Sequence, residues 1–200
     1  MAKELTKPER TRQFIIEKTA PVFNAKGFAG TSMNDLIKAT GLTKGSIYGN
    51  FQNKDEVAVA AFDHNFARVT SYIKSKIAEQ ENAAERLLIY PKVYRNFLKI
   101  PFLQAGCPLL NTAVDADDTH PVLRKKAADA LSFWKRSIEN QVKRGIERKE
   151  ISAKTNAAEF AVIIISVIEG AVMQAKVTGR SADLNTGMNF LEDYIRATAL

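Results

Sequence analysis

The chain has 200 residues, with 29 Lys/Arg against 22 Asp/Glu for a net charge of +7, and 46% of it is hydrophobic; that is enough for a real core in one or two domains. A single cysteine, Cys107, excludes an internal disulfide framework and suits a reducing compartment. No signal segment is expected at the N-terminus, and the apolar run at residues 160–168 is shorter than the ~20 residues of a membrane span, so the expectation is a soluble, cytoplasmic protein with no membrane partner.

The positive charge favours a polyanion, but it is not focused. Residues 1–56 hold nine Lys/Arg and six acids, so charge alone does not locate a nucleic-acid surface. Chain order does better. Thr6-Lys7-Pro8-Glu9 reads as a capping box with Pro8 in the first helical turn, where its missing N–H is harmless. The first helix is expected to run to Lys26 and close on Gly27, with Phe14, Ile15, Val22 and Phe23 inward and a local kink at Pro21. Ser32 then caps a short helix with Asp35 in its first turn and Met33, Leu36 and Ile37 on one side. Gly41 permits a sharp turn, and Thr43 caps a third helix over 44–50. That helix carries small and polar residues, with Ile47 and then Phe51 inward. Two short helices joined by a tight turn, the second with one face free of packing, form the pattern of a helix-turn-helix.

The stretch Gly27-Phe28, Thr31-Ser32, Ile37, Gly41-Leu42-Thr43-Lys44-Gly45-Ser46-Ile47-Tyr48, Phe51 and Lys54 resembles the N-terminal domain of the TetR family of bacterial transcriptional regulators. The turn, capping and tyrosine positions coincide without gaps over roughly the first 60 residues. The resemblance implies an all-α fold of nine helices. Its helix-turn-helix domain would occupy 1–56, and a helical effector-binding and dimerisation domain 57–200. It implies double-stranded DNA, a small-molecule effector and a second copy of the chain as partners, and no cofactor or conserved metal site.

Asn53 and Glu56 mark the start of a fourth helix, with Phe62, Phe66, Val69, Ile73 and Ile77 as one apolar stripe. It is long enough to bridge two helical bodies without a flexible linker, so the domain boundary should fall inside or along it. Residues 87–98 are helical by pattern, kinked at Pro91. Pro101 and Pro108 break the next segment around Gly106-Cys107. Asp115, Asp117 and Asp118 with His120 could hold a hard cation, but helix capping by Asp118 or Thr119 before Pro121 is the better account. Leu123, Ala127, Leu131, Trp134, Ile138, Val142 and Ile146 mark a long helix. Asn156 and Glu159 cap an eighth, apolar almost all round from Phe160 to Val172 and ended at Gly179. Leu184, Met188, Leu191 and Ile195 mark a ninth.

For DNA, the candidates are Thr31, Thr43, Lys44, Ser46, Tyr48, Asn50 and Lys54. The resemblance implies that the Tyr48 phenol meets a phosphate, a contact that positions without reading sequence. Gly49 departs from the family, which usually has a larger residue there, often His or Tyr; the glycine removes a contact and costs up to about 1 kcal/mol of helix propensity. The middle helices of the family enclose the effector, which points to Tyr90, Tyr94, Phe97, Phe102, Leu103, Cys107, Phe133 and Trp134 and to an apolar or aromatic ligand. The Gly106-Cys107 step looks like that of family members responding to reactive electrophiles. A reactive thiol needs a cation to lower its pKa, and Lys176 is the only basic residue between Asn156 and Gly179. The resemblance also implies a four-helix dimer interface from the last two helices, expected at Phe160, Ile164, Ile168, Ala171, Leu191 and Ile195. An all-helical enzyme is disfavoured by only two histidines, His64 and His120, and by the absence of HExxH or a Gly-rich phosphate loop. A non-specific architectural DNA binder is the remaining alternative, distinguished by salt-dependent binding without sequence preference.

Overall fold

The computed structural model describes residues 5–200; residues 1–4 of the expected first domain lie outside them. Among the described residues there are nine α-helices: α1 (Lys7–Lys26), α2 (Met33–Thr40), α3 (Lys44–Tyr48), α4 (Lys54–Ala78), α5 (Ala83–Arg95), α6 (Pro108–Ala116), α7 (Pro121–Glu147), α8 (Ala157–Thr178) and α9 (Ser181–Arg196). A 3-10 turn spans Phe97–Lys99, and one isolated bridge pairs Ile151 with Ala199. The all-α, nine-helix expectation holds.

Two compact units divide the chain. The first holds the residues up to Arg68 together with Pro108–Ala128, and the second holds Val69–Cys107 and Asp129–Leu200. The division falls inside α4, twelve residues beyond the boundary drawn at 56, and it returns α6 and the start of α7 to the first unit. Long-range side-chain bonds explain the second difference, which chain order could not show. Asn111 Nδ2 donates to the Asn24 carbonyl at 3.0 Å, the Phe28 N–H donates to Asp115 Oδ2 at 2.6 Å, and Lys126 meets Asp63 at 2.6 Å.

In the first unit, α1 begins with the expected capping box. The Glu9 N–H donates to Thr6 Oγ1, and the Glu9 carboxylate accepts the Thr6 N–H at 2.7 Å. Ile15, Thr19 and Phe23, one turn apart, form its buried spine, with the Thr19 hydroxyl satisfied by the Ile15 carbonyl at 2.8 Å. Phe14 lies about 100° off that spine by helical geometry and faces outward, and Val22 is half-buried. The cap of α7 also differs from expectation. His120, not Asp118 or Thr119, does the work: its Nδ1 accepts the Leu123 N–H at 3.1 Å, while its ring stands edge-on to Phe28 at 4.5 Å.

In the second unit α8 packs against α9 and α5. Asn156 Oδ1 accepts the N–H groups of Ala158 and Glu159, and Gly179 ends the helix at φ +69°. Ala171 fits where Gly187 lacks a side chain: a Cβ on Gly187 would lie 2.8 Å from the Ala171 Cβ. Arg95 of α5 pairs with Glu192 of α9 at 2.8 Å. The helix built around the 160–168 run is 22 residues long, and by length and composition it could cross a membrane. Its Phe160, Ile164 and Ile168 are instead fully buried in the protein core, each stabilising the fold by about 1.5–3 kcal/mol.

Candidate DNA-binding surface and effector site

The helix-turn-helix is assembled from local caps and one long-range anchor. Ser32 and Asp35 form a reciprocal capping box on α2. Lys26 Nζ sits 2.6 Å from Asp35 Oδ1, and that bond, with those from Ser32, holds the Asp35 carboxyl far below the usual carboxylate range. Gly41 takes the left-handed conformation at φ +69° and ends α2. Thr43 then caps α3, its Oγ1 accepting the Ser46 N–H at 3.1 Å.

Ile47 and Phe51 are buried and seat α3 from behind. Arg12 of α1 completes the seat. Its guanidinium stacks 4.0 Å over the Phe51 ring, donates to the Asn50 carbonyl and pairs with Glu56 at 2.7 Å. The Gln52 N–H and then Arg12 lower the Glu56 pKa. Arg12 was not singled out in the sequence, because nothing local connects position 12 to position 50.

With its back fixed, α3 presents Thr43, Lys44, Gly45 and Ser46 to solvent. Tyr48 is 38% exposed, with Lys44 Nζ 5.8 Å over its ring. Asn50 is half-buried and donates to the Ser46 carbonyl at 2.9 Å. Five of the seven expected DNA-facing residues therefore cluster on α3 or its ends. The other two do not. Thr31 is buried and its hydroxyl donates to the Gly27 carbonyl at 2.6 Å. Lys54 Nζ donates to the Phe28 and Thr31 carbonyls at 2.9 and 3.0 Å and lies 4.0 Å over the Phe28 ring. Both are tied to the turn between α1 and α2.

In the second unit most expected effector residues come together. Tyr90, Tyr94, Phe97, Leu103, Cys107 and Trp134 are all buried. The Trp134 ring stacks on Tyr94 at 5.7 Å and lies 6.4 Å from Tyr90. The Tyr94 hydroxyl is 3.5 Å from Cys107 Sγ. Burial, helped by the negative charge of neighbouring Cys107 and Glu169, pushes the Tyr94 phenol well up. Phe102 is half-buried and edge-on to Tyr72 at 5.7 Å. Phe133 is a correction: it is 50% exposed, because it lies about 100° around α7 from the inward Trp134.

Lys176 of α8 passes beside Gly106, the residue before Cys107. A Cβ on Gly106 would sit 2.7 Å from Lys176 Cδ and 2.9 Å from its Nζ, and Gly106 has φ +97°. Glycine before the cysteine thus answers both to backbone conformation and to the passage of the lysine. Partial burial lowers the Lys176 pKa, and the charge of Cys107 opposes that shift. One residue of this site escaped sequence reasoning. Both carboxyl oxygens of Glu169 are buried without a hydrogen-bond partner, and burial raises its pKa to about 7, with the Cys107 thiol acting the other way. The available signal was an acid in the middle of the most apolar helix, well past the Glu159 of its first turn.

All six expected interface residues, Phe160, Ile164, Ile168, Ala171, Leu191 and Ile195, are interior to the subunit. They form the faces on which α8 and α9 meet each other and the rest of the unit. The outward stripe of α8 is Val162, Ser166, Gly170, Met173 and Val177, at steps of three and four. Val162, Met173 and Val177 are exposed, as is Phe190 on α9.

A capped helix, a glycine turn and a second helix anchored from behind with polar side chains outward define a helix-turn-helix DNA-binding domain; followed by a helical body, this is the class of one-chain transcriptional regulators. Two family models agree. "Bacterial regulatory proteins, tetR family" matches residues 15–61, and "Tetracyclin repressor-like, C-terminal domain" matches residues 83–191. The chain belongs to the TetR family. It is similar to the crystal structure of a TetR-family regulator from Cytophaga hutchinsonii, with 47% identity, TM-score 0.95 and 99% of each chain covered. A TetR regulator from Chloroflexus aurantiacus matches at 34% identity and TM-score 0.91 over 98% of each chain. Among curated relatives, the HTH-type transcriptional repressor NemR of Escherichia coli is 21% identical over 95% of this chain and 96% of its own.

Proposed function

We propose that this protein is a repressor that binds a palindromic operator as a homodimer in the cytoplasm and is released by a small apolar or electrophilic effector. The observation that carries the DNA half is the construction of α3. Its buried side is tied down by Ile47, Phe51 and Arg12, while Thr43, Lys44, Ser46 and Tyr48 stand outward. Lys44 and Tyr48 supply phosphate contacts, and Thr43, Ser46 and Asn50 are placed to meet base edges or phosphates. The repressor sense follows relatives such as NemR.

A second copy of the chain covers the outward stripe of α8 together with Phe190 of α9. Serine and glycine at 166 and 170 keep that stripe low, and nothing lies within 4 Å of where a Gly170 Cβ would be. The effector enters the aromatic core beside Cys107, with Lys176 as the cation that favours thiolate. The test is operator binding, by fluorescence anisotropy on the DNA upstream of the gene, titrated with a quinone or hypochlorite for wild type and Cys107→Ser. Release of the wild type alone supports the thiol as sensor. Equal release of both leaves a reversible apolar ligand as the effector.

A further inference from the structure

The second unit contains an ionisable group that the DNA-binding and effector readings leave unused. Glu169 lies on α8 among Phe160, Ile164, Ile168 and Val172, all fully buried. Its two carboxyl oxygens are themselves buried, and neither has a donor in hydrogen-bonding geometry. A buried carboxyl without a partner is costly and calls for a physical reason. Lys176, two turns further along the same face of α8, passes over Gly106, 2.7 Å from where a Cβ on that glycine would be, so this face of α8 meets the segment that carries Cys107, and the thiol favours the ionised carboxylate. Tyr94 completes the group, its hydroxyl 3.5 Å from Cys107 Sγ.

Resting on the reading of Cys107 as the effector site, we propose that Glu169 is the proton acceptor for the Cys107 thiol when that thiol adds to a small, uncharged α,β-unsaturated carbonyl compound. In the first step Sγ forms a bond to the β-carbon of the acceptor. The carbon–carbon π pair moves toward the carbonyl to give an enolate, and the S–H proton passes to the Glu169 carboxylate. In the second step the same proton moves from Glu169 to the α-carbon. The product is a thioether at Cys107, the carboxylate is restored, and nothing is oxidised or reduced.

The other titratable groups facing the thiol fit different parts. Tyr94, from α5, keeps its proton over the whole working range because burial pushes it well up, so its hydroxyl steadies the developing sulfur anion. Tyr90, on the same helix, is likewise raised by burial and bonds to Ser137. Lys176, on α8, is a cation whose stem passes over Gly106, and its charge interacts favourably with that of Cys107. In such apolar surroundings the carboxylate and the thiolate do not both ionise readily. Glu169, raised to about 7 by burial, is therefore poised to take the thiol proton as the carbon–sulfur bond forms. Cys107 is only 2% exposed and lies against Tyr94, itself stacked on Trp134, which selects small neutral electrophiles over charged or bulky ones.

The experiment is the pH dependence of Cys107 alkylation by methyl vinyl ketone from pH 5.5 to 9, followed by intact mass. Wild type, Glu169→Gln and Glu169→Asp are compared, with Cys107→Ser as the blank. The wild-type rate is expected to rise through about pH 7 and level off. For Glu169→Gln the rate at pH 7 is expected to fall at least ten-fold and to climb only with the thiol's own ionisation, ordinarily about 8.5. Glu169→Asp, which keeps a shortened carboxylate, should retain the inflection near neutrality at a reduced rate, and it decides the case in which Glu169→Gln does not fold. A Glu169→Gln rate at pH 7 equal to or above that of wild type overturns the proposal and leaves the sensor reading standing. No wild-type adduct at any pH overturns both.

Discussion

The backbone N–H of Phe28 donates to Asp115 Oδ2 at 2.6 Å, so a side chain at the end of α6 holds the turn that leads into the helix-turn-helix. Gly27 beside it has φ +71°, and a Cβ there would lie 2.6 Å from Asp115 Oδ1. The carboxylate occupies the space that any other residue at 27 would fill. Asp115→Ala leaves the Phe28 N–H without its partner and should cost about 1–3 kcal/mol. Asp115→Asn keeps an acceptor and should cost less. Gly27→Ala combines a positive φ with a clash and should cost at least as much as Asp115→Ala. Denaturant melts of the three variants give the order. Operator affinity should fall for Asp115→Ala even where the protein remains folded, because α2 starts from this turn. An Asp115→Ala protein with unchanged melt and affinity would show that the turn holds itself.

On the recognition helix, Tyr48→Phe removes only a hydroxyl and should weaken binding to all DNA sequences alike. Lys44→Ala should flatten the dependence of log K on log salt by roughly one unit if its ammonium neutralises a phosphate. Lys54→Ala is the informative contrast. Its ammonium already serves the Phe28 and Thr31 carbonyls, so the variant should melt earlier with an unchanged salt slope. A slope lowered by Lys54→Ala and untouched by Lys44→Ala would reverse the assignment.

For assembly, Met173→Asp and Phe190→Asp place a charge on side chains that are 51% and 53% exposed in the single chain. Both should give folded monomers by sedimentation, with operator binding lost. Ile168→Asp and Leu191→Asp bury an unpaired charge in the subunit core, a cost of several kcal/mol, and should unfold the chain without first releasing monomers. Folded monomers from the second pair and intact dimers from the first would restore the interior residues as the interface.

These contrasts trace how much the chain revealed before its fold was known. Caps and turns are local, so Thr6, Ser32, Gly41, Thr43, Asn156 and Gly179 could be read from neighbours three or four residues away. Apolar spacing likewise marked the long helices. What failed was the direction of faces on helices apolar on more than one side. On α8 the 3.6 period shows no clear polar edge, so Ile164 and Ile168 looked as suited to a partner as Val162 and Met173 did. Thr31, Lys54 and Arg12 were misjudged or missed for a related reason. Lys54 and Arg12 serve carbonyls 23 to 38 positions away, which no window of sequence contains, and Thr31, though its acceptor is only four residues back, is buried by the packing of the turn. Asp115 and His120 were weighed only as members of a cation cluster, with the cap given to Asp118 or Thr119; their partners, Phe28 and Leu123, differ in that only the second is local.

Glu169 makes a stability prediction independent of any effector. Its carboxyl is raised from 4.5 to about 7 by burial, so between those values the folded chain binds a proton that the unfolded chain has released. Stability then falls as pH rises, since the slope follows the protons bound unfolded minus those bound folded. The loss begins near pH 4.5, where the unfolded carboxyl ionises, and is complete above about 7, where the folded one has ionised as well. A shift of this size corresponds to a loss of about 3 kcal/mol. Glu169→Gln keeps the shape and cannot ionise, so it should be more stable than wild type at pH 8 and nearly equal to it at pH 4.5. Urea melts of both proteins at several pH values between 4.5 and 8 measure the difference directly. A stability gap that does not change with pH would mean that the Glu169 carboxyl does not titrate between those values in the folded chain, and that the cost of its burial is met by a partner in solution.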